Sequence, residues 1–291
     1  MIFLDNAQLQ SLLLEKSLEM PKKARRVVEY LLSNMREASF RSIGEVATEL
    51  QVSKAQLVRV AQMLGFSGYA ELKTFLQNSI LEQINPAAFL TKEISEEDAL
   101  FDTIFRTEHA NLDDTMSQLK GEEIAKFCRS IKKATSVYCM GWGISSLIVE
   151  LLQLRLAVLG IKAHLSQRGS LSLWEQARSI KTGDIVVVCE LPSYAVEVTE
   201  AVEIAKNNGA KIITITDSAA APVCRFASLS FFVSANSPTF GSSIIGPLFL
   251  IHVLTSELAL SMNKEAAEAF EKQVDFLHDE RVFHPIFGLK Y

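Results

Sequence analysis

Residues 42–65 read SIGEVATELQVSKAQLVRVAQMLG, and their pattern decides the architecture of the N-terminal part. Ser42 is followed three positions later by Glu45, the spacing at which a hydroxyl and a carboxylate each satisfy an orphan amide at a helix start. Ile43, Val46, Ala47 and Leu50 then recur on one helical face. Gln51-Val52 breaks that rhythm. Ser53 and Gln56 repeat the capping spacing, and Leu57, Val60, Ala61 and Leu64 form a second apolar stripe that Gly65 closes. Two short helices joined by a tight turn, the second opening on small and polar residues, is the pattern of a helix-turn-helix.

A recognition helix places its N-terminal residues against base edges in the major groove while its far side packs on the first helix. The residues this pattern offers to DNA are Ser42, Ser53, Lys54, Gln56 and Arg59. Glutamine pairs bidentately with adenine, lysine and arginine take guanine or phosphate, and the positive end of the helix favours phosphate. A solvated αα-hairpin is the plain alternative. Upstream, Pro21 opens a helix in which Lys22, Lys23, Arg25 and Arg26 flank Val27, Val28, Leu31 and Leu32, a basic edge suited to a phosphate backbone.

The 291 residues exceed one typical domain, and 48% hydrophobic content supports a sizeable core. The net charge of −5 is not that of a wholly basic nucleic-acid binder. Its distribution is more telling. Residues 1–80 carry ten Lys/Arg against eight Asp/Glu, and the rest nineteen against twenty-six. A slightly positive N-terminal part on an acidic body fits a small DNA reader joined to something else. Cys128, Cys139, Cys189 and Cys224 are scattered without metal-ligand spacing, so they read as free thiols in a reducing, cytoplasmic setting, with no metal and no cofactor. Residues 1–20 lack the basic start of a signal peptide. The apolar run from Ile244 to Leu260, interrupted by Pro247, His252 and Glu257, reads as a core or interface helix rather than a membrane span.

Along the chain, helices are expected at Leu9–Glu19, from Pro21, at Ala70–Leu81, Asp98–Leu119 and Glu122–Ile131. Five strands are expected at Ser136–Met140, Ile161–Leu165, Ile185–Cys189, Lys211–Thr216 and Leu229–Val233, with helices between most of them. This alternation predicts an α/β fold: an all-helical domain over residues 1–85, a linker over 86–97, and over 98–291 a five-stranded parallel sheet with helices on both faces. Ligands in such sheets bind beyond the C-terminal strand ends, so the loops 141–146, 190–197 and 217–222 are the ones to inspect. Gly141-Trp142-Gly143-Ile144-Ser145-Ser146 lies between a strand and a helix, where glycines allow close backbone approach and the serines offer donors to an anion. A dinucleotide fingerprint would want glycine at Ser146 and an acid after the next strand, where His164-Leu165-Ser166-Gln167 stands.

The two halves together, LVRVAQMLGFSGYAELK followed by a linker and a strand leading into GWGIS, resemble the RpiR family of bacterial transcriptional regulators over roughly residues 10–262. That resemblance implies an N-terminal helix-turn-helix, a C-terminal SIS (sugar isomerase) domain, phosphosugar sensing in carbohydrate metabolism, and binding of a palindromic operator as a homodimer or homotetramer. This sequence departs from the family at several points. Gln51 replaces a frequent glycine, and Gln62 and Met63 stand where basic residues are common. The second phosphate loop, Ser-x-Ser-Gly-x-Thr in the family, is here Glu190-Leu191-Pro192-Ser193-Tyr194-Ala195, without the three hydroxyls. A carboxylate facing a phosphate is repulsive, so Glu190, Tyr194 and Glu197 suit a polyol, an amine-bearing metabolite or an amino sugar better.

The expected effector site therefore comprises Gly141, Gly143, Ser145, Ser146, Arg168, Glu190, Tyr194 and Ser242, with Ser243 beside it and Arg168 as the cation for a carboxylate or phosphate. No catalytic residue is expected. An isomerase would need a base with raised pKa, and Glu150, Glu190, His164 and Glu257 show no diagnostic spacing. The expected function is a DNA-binding regulator sensing a small metabolite. A sugar-phosphate isomerase and a regulator whose second domain only oligomerises are the alternatives.

Overall fold

In a computed structural model of the protein, the structure describes residues 20–34, 38, 39, 41–84 and 100–279. The expected helix at 9–19, the linker at 86–97 and the terminal segment 283–287 lie outside these residues. The described part forms two compact units.

In the first unit, α1 (Lys22–Ser33), α2 (Ile43–Glu49), α3 (Lys54–Met63) and α4 (Tyr69–Ile84) pack around one core. Val27, Val28 and Leu31 of α1, Val46 and Ala47 of α2, Leu57, Val60 and Ala61 of α3, and Leu72 and Leu76 of α4 are buried there. Both expected capping boxes form. Glu45 N–H donates to Ser42 Oγ over 3.3 Å while Ser42 N–H donates to Glu45 Oε2 over 2.7 Å. At α3 the corresponding distances are 3.2 Å from Gln56 N–H to Ser53 Oγ and 3.0 Å from Ser53 N–H to Gln56 Oε1. The turn between the helices closes with Val52 N–H on Ala47 O at 2.9 Å. It holds Gln51 at φ 54°, a left-handed conformation that costs a residue with a Cβ roughly 1–2 kcal/mol. A glycine at this position would avoid that cost.

The second unit is a three-layer α/β domain. β1 (Val137–Met140), β2 (Ala163–Ser166), β3 (Ile185–Glu190), β4 (Lys211–Thr216) and β5 (Leu229–Phe232) form one parallel sheet in the order β2-β1-β3-β4-β5. Before and between them, in chain order, run α5 (Leu100–Gln118), α6 (Gly121–Lys133), α7 (Ile144–Val158), α8 (Leu173–Ala177), α9 (Val196–Asn207) and a 3₁₀ turn at Pro222–Phe226, and after β5 come α10 (Ile245–Met262) and α11 (Lys264–Asp279). Alternate residues of each strand face opposite layers. Val187, Cys189, Ile213, Ile215 and Phe231 join the core formed with α6, α7 and α10. Leu250, Ile251, Leu254 and Leu258 bury one face of α10 in that core.

Candidate functional site

At the N-terminus of α3, Ser53, Lys54 and Arg59 are exposed, as is Ser42 at the start of α2. Gln56 is half-buried, and its Oε1 holds the Ser53 amide, so a bidentate grip on adenine would have to break the capping box. Lys22, Lys23 and Arg26 lie on the exposed side of α1. The capping boxes thus fix the first turn of α3 in place while leaving a serine, a lysine and an arginine pointing to solvent.

In the second unit the strand order reverses between β1 and β3, the place where ligands bind in sheets of this order. The β1–α7 loop and the segment after β3 flank that point. Gly141 is required there by close approach. A Cβ would stand 2.8 Å from Ser145 O, inside van der Waals contact. Gly143, at φ 58°, opens α7.

Both hydroxyls expected to face an anion are occupied by the chain itself. Ser145 is buried, and its Oγ accepts the Leu191 amide at 3.3 Å, tying the β1–α7 loop to the end of β3. Ser146 Oγ donates to Gly143 O at 2.7 Å. Arg168 is largely exposed, and its Nε lies 3.8 Å from Glu197 Oε2. Glu197 uses its other oxygen on the Leu173 amide at 2.9 Å, where it fixes the start of α8. Ser242 is half-buried. Its neighbour Ser243 donates to Glu108 Oε2 at 2.6 Å and accepts the Ile245 amide at the start of α10.

Glu190 is different. It ends β3 with 3% of its surface exposed, and neither carboxyl oxygen has a hydrogen-bond partner. Cys189 faces Ser145, so strand alternation turns Glu190 to the opposite layer, toward Ala195 and Val223. Burial pushes its pKa up to about 8, and the nearby Asp217 adds to the rise. The Ala195 and Val223 amides restrain that rise without closing a well-formed hydrogen bond. At neutral pH the group is therefore largely protonated, so the repulsion expected of a fixed carboxylate is much reduced. Tyr194 is held by its hydroxyl, which donates to Asp217 Oδ1 at 2.8 Å.

Sequence reasoning missed Asp217, the partner of Tyr194. It also missed Glu108, Asn111, Thr115 and Ser234, which fasten α5 to the segment before α10. Nothing local signals them, because their partners lie more than a hundred residues away. Of the acids and bases weighed for catalysis, His164 stacks on Tyr138 with ring centroids 5.0 Å apart. Among the described residues no group of three or more metal-ligating side chains comes together.

Residues 7–83 match the helix-turn-helix domain of the rpiR family, and residues 130–257 match the SIS domain. The chain is 29% identical over 210 residues to the HTH-type transcriptional regulator RpiR of Escherichia coli, covering 72% of this chain and 70% of that one. It is also 29% identical over 219 residues to the HTH-type transcriptional regulator HexR of Pseudomonas aeruginosa, covering 72% and 73%. In fold it resembles the Vibrio vulnificus NanR protein complexed with ManNAc-6P, with a TM-score of 0.60 at 21% identity over 93% of this chain and 98% of that one.

Proposed function

The chain belongs to the RpiR family, a helix-turn-helix domain followed by a SIS domain in a DNA-binding transcriptional regulator, and from that premise we propose that its SIS domain senses a small sugar-derived metabolite and passes the signal to operator binding in the cytoplasm. The observation that carries the sensing half is Glu190: a buried carboxyl with two unpartnered oxygens beside the switch point of the sheet. Buried polar atoms in folded proteins are nearly always satisfied, and a perturbed one beside a cleft marks a working site. No isomerase activity is assigned. Metabolite binding shifts DNA affinity only if the ligand prefers one arrangement of the subunits over another. A thermal-shift screen of metabolites against the full chain tests the sensor, since a ligand of the folded state raises the melting temperature. A SIS domain that responds to none of them is an assembly module.

The DNA-binding half rests on the exposed side of the first two turns of α3. Arg59→Ala is expected to weaken binding to a duplex selected from a random library by about tenfold, one hydrogen-bonded charge contact being worth ~1–3 kcal/mol. If Arg59 contacts phosphate, the loss is uniform across sequences and the salt slope falls by about one. Fluorescence anisotropy over a salt series measures both, and unchanged affinity would remove Arg59 from the interface.

A palindromic operator calls for a homo-oligomer, and α7 supplies a surface for one. Ile144, Leu147, Leu154 and Val158 are all exposed and spaced three, seven and four residues apart, a stripe along the side of α7 that its own core leaves uncovered. An apolar stripe of this kind fits a second copy of the chain. Leu154→Glu is expected to shift sedimentation to the monomer; an unchanged oligomer would place the interface elsewhere.

A further inference from the structure

We propose that Glu190 sets the ligand specificity of the SIS domain, admitting an uncharged, hydroxyl-bearing end of a sugar or polyol at the N-terminus of α9 and keeping a phosphate group out of it. The proposal rests on the reading that this domain binds a metabolite. Two independent observations meet at one place. The helix α9 is twelve residues long, and its N-cap, Ala195, makes no side-chain hydrogen bond; the Val198 amide closes on Ala195 O at 3.1 Å, and the amides before it get no acceptor from the N-cap side chain. The residue facing that N-cap is Glu190, more than nine-tenths buried, with neither oxygen partnered.

An uncapped helix start is ordinarily a seat for an anion. Here the chain has put its own carboxyl there. The groups around Glu190 offer a phosphate little else. Two of the loop positions are Pro192 and Ala195, without a side-chain donor, and Ser193 is the one serine of the loop. The titratable groups on its side of the sheet are Asp217 at the end of β4 and Cys224 of the 3₁₀ turn, with Cys189 adjacent in the strand but turned to the other layer. Tyr194 directs its proton to Asp217, and Glu197 of α9 is turned away to Leu173 and Arg168. Among the described residues no cation contributes to the electrostatics of Glu190.

What the site does offer is amide donors from α9 and carboxyl acceptors from Glu190. A phosphate dianion brings only acceptors, so it matches the amides, but the buried Glu190 side chain fills the space it needs and Asp217 lies close by. An ammonium brings only donors, so it matches Glu190 and opposes the positive end of the helix. A hydroxyl does both, accepting from an amide and donating to a carboxyl oxygen. With Glu190 protonated the match persists, since the acid then gives one donor and one acceptor.

Inorganic phosphate is the direct probe, titrated by calorimetry into the full chain and into Glu190→Ser and Glu190→Gln. The wild-type protein is expected to show no saturable binding up to about 10 mM, and Glu190→Ser to bind at least about tenfold more tightly, because a hydroxyl donor and free space replace the carboxyl. Saturable phosphate binding by the wild type, or failure of Glu190→Ser to gain any, overturns the proposal. Glu190→Gln keeps the size of the side chain and separates space from charge. It gains phosphate binding if charge is the obstacle and stays blank if occupancy is; either way Glu190→Ser must bind. A second arm compares sorbitol with sorbitol 6-phosphate and glucose with glucose 6-phosphate by thermal shift on the wild type. A phosphate ester binding about tenfold tighter than its parent overturns the specificity while leaving the sensor reading standing. Silence from all four sugars, with the phosphate arm as expected, counts against the sensor reading and leaves the assignment of Glu190 intact.

Discussion

Glu190→Gln is expected to stabilise the protein above neutral pH, with a gap over wild type that widens from about pH 5 to about pH 9. The carboxyl has an ordinary value of 4.5 when the chain is unfolded and about 8 in the fold, where burial is the main cause. Between those values the folded state holds the proton and the unfolded state does not. Stability contributed by the protonated acid is therefore complete below the unfolded value and is lost as pH rises through the folded one. A rise of this size corresponds to roughly 4–5 kcal/mol at alkaline pH. A neutral amide of the same shape has no proton to lose, and its own unmet hydrogen bonds cost the same at every pH. Melting curves of wild type and variant should nearly coincide at about pH 5 and diverge by about 10 °C at about pH 9. Parallel curves across the range would mean that Glu190 finds a partner when it ionises.

The place where this carboxyl sits was legible in the sequence, but its state was not. The alternation of apolar runs and helices locates all five strands, and the capping spacings at Ser42 and Ser53 locate both helix starts, because these signals are local. Boundaries slip where a helix end and a strand start compete. The strand expected from Ile161 begins at Ala163, since the Ile161 amide closes the end of α7 on Leu156 O at 3.0 Å. The Gly141–Ser146 loop falls where expected, between β1 and α7. Side-chain duties are another matter. Whether Arg168 waits for an anion or meets Glu197, and whether Ser145 faces solvent or the Leu191 amide, depends on contacts 29 and 46 residues along the chain. The sheet order creates those contacts, and no periodicity encodes them. The raised pKa of Glu190 follows in the same way: a glutamate at a strand end reads as polar until the layer above covers it.

Gly246→Ala is expected to lower stability by about 3 kcal/mol or more, against a neutral or slightly favourable effect of Gly121→Ala. Both glycines lie in the first turn of a helix, where alanine is ordinarily the better residue. At Gly121 nothing lies within 4 Å of an added Cβ. At Gly246 the Cβ would stand 2.4 Å from Ser234 O and 2.7 Å from Thr115 Oγ1. Relief by a side-chain rotation is closed off, because Thr115 Oγ1 accepts the Ser234 amide at 3.0 Å and Ser234 Oγ donates to Asn111 Oδ1 at 2.8 Å. Asn111 is fully buried and uses its whole amide, giving its nitrogen to Glu108 Oε2 and Asn236 O and taking the Ser234 hydroxyl and the Asn236 amide on its oxygen. Moving Ser234 to make room for a methyl group strands several of these polar groups at once, and in a buried network the loss exceeds that of one bond. The expected fall is roughly 6–12 °C in melting temperature, read by calorimetry. If the two alanine variants melt alike, α5 is not locked to the start of α10 as tightly as these distances require.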